Sequence, residues 1–191
     1  MNALSTRKFC KMILSLFKKK PNEATVRQAY ASIVAQSRQK IFYADWDIPD
    51  TVTGRFDMIS LHLCLVFRRL KTNTDADRDF SQNLFDLFFM DMDHSLRELG
   101  TGDIIIPKRI QKMGELFYGL LASLSDALDA ADHEALRQAL VRNIYGGESP
   151  DSVEQMALYV EQLEQHLNTQ DTKTILAGEI SMDASKRNDS K

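Results

Sequence analysis

Apolar residues recur along most of this chain at steps of three and four, the spacing that lines one face of an α-helix. In NEATVRQAYASIVAQSRQKIF, Val26, Tyr30, Ile33, Val34 and Ile41 keep that spacing, with Glu23 in the first turn where the helix dipole favours an acid. YADWDIPDTVTGRFD then gathers Asp45, Asp47, Pro49, Asp50 and Gly54, turn formers that surround the single Trp, so this connection is predicted to be ordered. From Phe56 to Leu70 the chain is apolar on nearly every side, which marks a central helix surrounded by others.

A break at KTNTDADRD precedes a second strongly apolar helix, with Phe85, Phe88, Phe89, Met92, Leu96 and Leu99 on its core side and Gly100 where a helix C-cap glycine belongs. Pro107 opens a long helix carrying Ile110, Met113, Phe117, Leu120, Leu124 and Ala127. Asp132 is placed to cap a shorter one that ends at Gly146-Gly147, and Pro150 opens the last, with Val153, Met156, Val160, Leu163 and Leu167. No segment alternates with period two. The prediction is an all-α, single-domain bundle of about six or seven helices over residues 21–170, followed from 171 to 191 by a tail that loses periodicity and is expected to be disordered.

Charge divides the chain differently. Arg7, Lys8, Lys11, Lys18, Lys19 and Lys20 stand in the first 20 residues with no acid, leaving 18 basic against 27 acidic groups in the rest. Within this leader Phe9, Met12, Ile13, Leu16 and Phe17 share one helical face, flanked by Lys8 and Lys18, the pattern of a helix lying in a membrane interface. These seven residues are the candidate membrane contacts; a first helix docked on the core, or an organelle targeting segment, would show the same amphipathic, acid-free pattern. Lys11 interrupts the apolar run, so the leader falls short of the ~20 residues that span a bilayer. A net negative remainder without basic groups interleaved with aromatics argues against nucleic acid as a partner. Two cysteines, Cys10 and Cys64, support neither a disulfide framework nor a thiolate metal cluster.

The stretch LRELGTGDIIIPKR, residues 96–109, interrupts the helical pattern with chemistry of its own. It is not a phosphate loop: a Walker loop needs Lys-Ser/Thr directly after its second glycine, and a dinucleotide fingerprint needs a preceding strand. As a connector it is well made, with Gly100 ending one helix, Gly102 allowing a reversal and Asp103 free to accept turn or cap hydrogen bonds. Turn chemistry leaves Lys108, Arg109 and Lys112 unexplained, because cations in the first turns of a helix oppose its dipole by ~0.3–1 kcal/mol each. Three isoleucines stand directly before them. Two readings follow: an anionic or amphipathic partner surface, or a plug in which Ile104, Ile105 and Ile106 fill the bundle end while Asp103 and Glu98 neutralise the bases.

Catalytic and metal constellations are weak. Asp91 and His94 have the spacing of di-iron helices, but no second such pair exists, and His94 with Glu98 reads better as a surface pair. His62, inside the most apolar helix, reads as a hydrogen-bonded core histidine before it reads as a base. No metal ligand set and no cofactor motif is identified.

PDTVTGRFDMISLH (49–62) and FDLFFMDMDHSLRELGTGDIIIPKRIQKMGELFYG (85–119) resemble the ubiquinol-cytochrome c chaperone family, over about residues 24 to 145. The resemblance implies a non-enzymatic helical protein, without a cofactor of its own, that escorts newly made, membrane-inserted cytochrome b into respiratory complex III. It implies work at the cytoplasmic face of a bacterial inner membrane or the matrix face of a mitochondrial one, where family members act with a small partner subunit. The matching positions that become client-binding candidates are Pro49, Asp50, Thr51, Arg55, Asp57, Arg97, Gly100, Gly102, Asp103, Lys108, Arg109, Lys112 and Tyr118. Gly54, His62, Asp91, Asp93 and Phe117 belong to the same motifs. This chain departs from the pattern at Leu120, where the resemblance leads one to expect Arg. Two other classes remain open: a membrane-peripheral scaffold with a different client, and an enzyme using His62 with Asp57 or Asp93.

Overall fold

The computed structural model describes residues 23–71 and 74–183. The leader and the last eight residues, and with them the leader's predicted membrane face, lie outside the described residues. Eight helices follow in order: α1 Glu23–Ser37, α2 Lys40–Ala44, α3 Val52–Arg69, α4 Asp75–Glu98, α5 Ile106–Asp129, α6 His133–Asn143, α7 Val153–Thr169 and α8 Thr172–Leu176. Six are long and two are single turns, and no strand occurs among the described residues, as the apolar spacing predicts for an all-α bundle.

The central helix is α3. Every residue from Met58 to Val66 is buried, and α3 packs against α1, α5 and α7 while Phe56 stacks on Phe88 of α4 at 5.4 Å between ring centres. Its start lies four residues ahead of the predicted one, because Thr51 caps it by accepting a hydrogen bond from the Gly54 N–H at 3.2 Å. At the other end of the bundle, Arg69 donates to the Leu167 and Gln170 carbonyls and closes the end of α7.

The first predicted helix is broken in two. Ser37 is buried and turns its hydroxyl back onto the Val34 carbonyl, and Tyr43 donates to the Ser37 carbonyl, so the chain turns at Arg38-Gln39. The turn rotates the following residues: Phe42 enters the core, and Ile41, expected inside, is exposed. The tail is a second correction. Residues 172–176 form α8, capped by Asp171, and Ile175, Ile180 and Met182 are buried. Short-range periodicity misses this strap because its three apolar residues reach the core through an irregular path.

Candidate functional site

The α4–α5 corner is built by a complete helix-ending motif. Gly100 takes a left-handed φ of 74°, its N–H bonds to the Arg97 carbonyl at 2.9 Å and that of Thr101 to the Leu96 carbonyl at 3.1 Å. Gly102 has neither a left-handed φ nor a crowded Cβ position, so its predicted reversal role is not what the corner uses. A short turn follows, with Ile105 N–H on the Gly102 carbonyl at 2.8 Å.

Arg97 fastens the corner. Its guanidinium holds both oxygens of Asp93 at 2.7 and 3.3 Å and reaches across to Asp103 at 2.6 Å. The pairing lowers the Asp93 carboxyl and raises Arg97 further, through hydrogen bond and charge together. Asp103 is thereby committed to Arg97 rather than to turn N–H groups or to the bases of α5, and His94 and Glu98 form no pair. Among the described residues Lys108 has no partner, Arg109 only grazes the Thr101 hydroxyl at 3.5 Å, and Lys112 meets Glu115 at 3.4 Å.

The isoleucines divide. Ile106 is 1 % exposed and plugs the bundle end, whereas Ile104 is 95 % and Ile105 53 % exposed, beside Leu99 at 62 %. Leu99 was expected on the core side. The helix-ending turn instead swings it out, while Leu96 stays buried. A plug reading therefore holds for one isoleucine of three, and the local neutralisation it required is absent.

The second group of motif residues lies at the head of α3. Loop 45–51 is ordered, as its Trp implies: Trp46 packs on Phe42 and Tyr159, Tyr145 donates to the Trp46 carbonyl, and Asp47, with φ 58°, accepts from the Ser152 hydroxyl at 2.7 Å. Gly54 is required by that loop, since a Cβ there would lie 2.0 Å from the Pro49 carbonyl oxygen. Pro49, Asp50 and Thr51 are exposed, and Arg55 pairs with Asp50 at 2.8 Å. Asp57 is different: half-buried, without a charged or hydrogen-bonding partner among the described residues, its carboxyl is pushed up to about 7 by burial.

These two groups share one end of the bundle. Phe56, in the second turn of α3, stacks on Phe88 of α4. Tyr118 is not part of this end. It lies midway along α5 against Phe85 and Phe117, on a groove of about 430 Å³ that Phe67, Lys71 and Arg78 also line.

Other motif residues hold the scaffold. His62 is fully buried among Met58, Tyr159 and Phe42, and burial drives its pKa down to about 4, so it is neutral and structural. Asp91 accepts from Tyr30 of α1 at 2.8 Å. Leu120 is core. Among the described residues no three His, Cys, Asp or Glu side chains are grouped as metal ligands.

A family model described as ubiquinol-cytochrome C chaperone matches residues 44–182, both loops and the strap included. The chain belongs to the ubiquinol-cytochrome c chaperone family. The crystal structure of the Cbp3 homolog from Brucella abortus is 40% identical, with a TM-score of 0.77 over 97% of this chain and 99% of that one. No curated protein matches the chain. For a ubiquinol-cytochrome c chaperone, the motif residues thus sort by geometry. Thr51, Gly54, His62, Asp91 and Gly100 shape the fold, while Asp57, Lys108 and Arg109 contribute little to it and remain available at the surface.

Proposed function

We propose that this chain is a non-enzymatic assembly chaperone that binds newly made cytochrome b and promotes assembly of ubiquinol-cytochrome c reductase. Its family supports the pathway. The observation that carries the binding role is the end of the bundle itself. It holds a half-buried carboxylate without a partner, cations set against a helix dipole, and exposed isoleucines, each of which costs stability or solubility unless something meets it.

The client-facing end comprises Pro49, Asp50, Thr51, Arg55 and Asp57 at the α3 head and Arg97, Gly100, Gly102, Asp103, Lys108, Arg109 and Lys112 at the corner. Tyr118 forms a separate contact at the α4–α5 groove. No helix among the described residues is long and apolar enough to cross a membrane. In this proposal the domain works peripherally, at the cytoplasmic face of a bacterial inner membrane or its matrix equivalent, held by the leader's Lys8, Phe9, Met12, Ile13, Leu16, Phe17 and Lys18, with or without a small partner subunit.

Affinity purification of the full chain from detergent extracts tests this. Cytochrome b is expected to be recovered with the wild-type chain, and a deletion strain is expected to lose assembled complex III. Normal complex III in the deletion strain, with no cytochrome b recovered, would overturn the proposal.

A further inference from the structure

The bundle end presents two chemically different parts. The α3 head is polar and hydrogen-bonding. The corner is a convex tip with three large aliphatic side chains, Leu99, Ile104 and Ile105, on solvent at 62, 95 and 53 % exposure. The groove by Tyr118 and Phe85 lies well down α5, away from this tip.

Charge completes the pattern. Lys108, Arg109 and Lys112 are all exposed on the first turns of α5, within about 100° of one another around the helix axis. The acids nearby are accounted for: Asp93 and Asp103 are paired with Arg97, and Glu115 meets Lys112 and Gln111 of its own helix. Glu98 is exposed, two residues beyond the buried Leu96 and so about 200° around α4 from the face that packs inward. Lys108 and Arg109 therefore keep their full charge directly behind the isoleucine tip.

We propose that this corner is a membrane-interface anchor. Leu99, Ile104 and Ile105 enter the boundary between headgroups and acyl chains of an anionic bilayer, and Lys108, Arg109 and Lys112 lie among the lipid phosphates. With the tip immersed, the corner residues proposed to face the client are held at the membrane surface, where a membrane-inserted client presents its polar ends. The inference rests on the proposed function only for that last step. The tip's affinity for lipid does not depend on which client is bound.

The test places a reporter at the tip of the full chain, leader included. Ile104→Trp is mixed with vesicles of phosphatidylcholine containing about a third phosphatidylglycerol, some with acyl chains brominated near the headgroup. The wild type, whose Trp46 lies in the core cluster, supplies the baseline. Expected are a blue shift and bromine quenching of the tip Trp above that baseline, both absent with phosphatidylcholine alone. Replacing Lys108, Arg109 and Lys112 by Gln is expected to weaken tip insertion about fivefold per charge.

A tip Trp that stays unquenched while the protein floats with the vesicles assigns membrane contact to the leader and overturns the inference. So does a crosslink from position 104 to cytochrome b with no quenching, which makes the corner a protein contact. Quenching without recovery of cytochrome b would leave the anchor standing and remove the client instead.

Discussion

His62 Nε2 lies 2.6 Å from the Tyr159 phenol, and the proton in that bond belongs to tyrosine. The other ring nitrogen, Nδ1, stands 2.7 Å from the Met58 carbonyl, which can only accept, so Nδ1 carries the hydrogen and Nε2 is the acceptor. The phenol in turn accepts from the Gln36 side chain at 3.0 Å, and Phe42 and Trp46 enclose the group. Both nitrogens of the one histidine that could be read as a base are thus occupied in joining α1, α3 and α7.

Tyr159→Phe removes the donor and strands a buried Nε2, which costs ~1–3 kcal/mol. A matching fall in the urea midpoint, with far-UV circular dichroism unchanged, is the expected result. No loss of stability would mean that the His62 bond is replaced by water or is not made.

Stability should vary with pH through two groups of opposite sign. His62 is held neutral, with its folded pKa near 4 against an ordinary 6.5. Its contribution is therefore complete above pH 6.5 and is lost as pH falls toward 4, on the order of 3 kcal/mol in all. Asp57 has its folded pKa raised to about 7 from 3.8. The stability linked to it is complete below pH 3.8 and is lost as pH rises through about 7. Between pH 4 and 6.5 the two partly cancel, so Asp57→Asn should raise stability at pH 7 and make the acid limb steeper. Denaturation curves of both proteins from pH 4 to 8 read this directly. An unchanged acid limb would show that Asp57 ionises freely.

Much of this fold is legible in the sequence because burial is periodic. The α3 core, the cap at Asp132, the Gly100 helix end and the ordered Trp46 loop all follow from local spacing and turn chemistry. What spacing hides is decided at a distance. The break at Ser37 depends on where Phe42 must go, and the strap depends on a docking place formed by α1 and α4. At the candidate site, the charge set against the α5 dipole was visible in the residues alone. That Asp103 would be taken by Arg97, and that Leu99 would turn outward with only Ile106 going in, was not, since both depend on the path of the chain around the corner.

Gly54 carries a steric argument with no freedom in it. A methyl group there would lie 2.0 Å from the Pro49 carbonyl oxygen, which is backbone and cannot swing aside. Gly54→Ala should displace loop 45–51 or the first turn of α3 and cost ~1–3 kcal/mol. The loop's displacement would be read as a change in Trp46 fluorescence. An unaltered spectrum and melting temperature would mean that the loop tolerates the shift.

The strap after α7 should matter to stability. Gln170 holds the Ser181 backbone by both its N–H and its carbonyl, at 2.9 and 2.8 Å, and Gly178, at φ 89°, passes so near Thr25 that a Cβ would meet its carbonyl oxygen at 2.6 Å. Ending the chain after Gln170 uncovers the sites of Ile175, Ile180 and Met182, worth ~1.5–3 kcal/mol each before ordering costs. A melting temperature lower by several degrees is expected, and equal melting temperatures would return residues 171–183 to the status of a tail.

The corner cations allow a sharper separation of fold from function. Lys108, Arg109 and Lys112 oppose the α5 dipole, and the one ion pair among them, Lys112 with Glu115, is exposed and worth at most ~1 kcal/mol. Replacing all three by Gln should therefore leave thermal stability unchanged or raise it slightly, while reducing association of the chaperone with its anionic surroundings. Arg97→Gln provides the contrast, because it opens the clasp between Asp93 and Asp103 without touching the three cations. If these residues only brace the corner, the triple variant should melt lower and the Arg97 variant should behave like it. If they face a partner, the triple variant should melt normally and fail in binding.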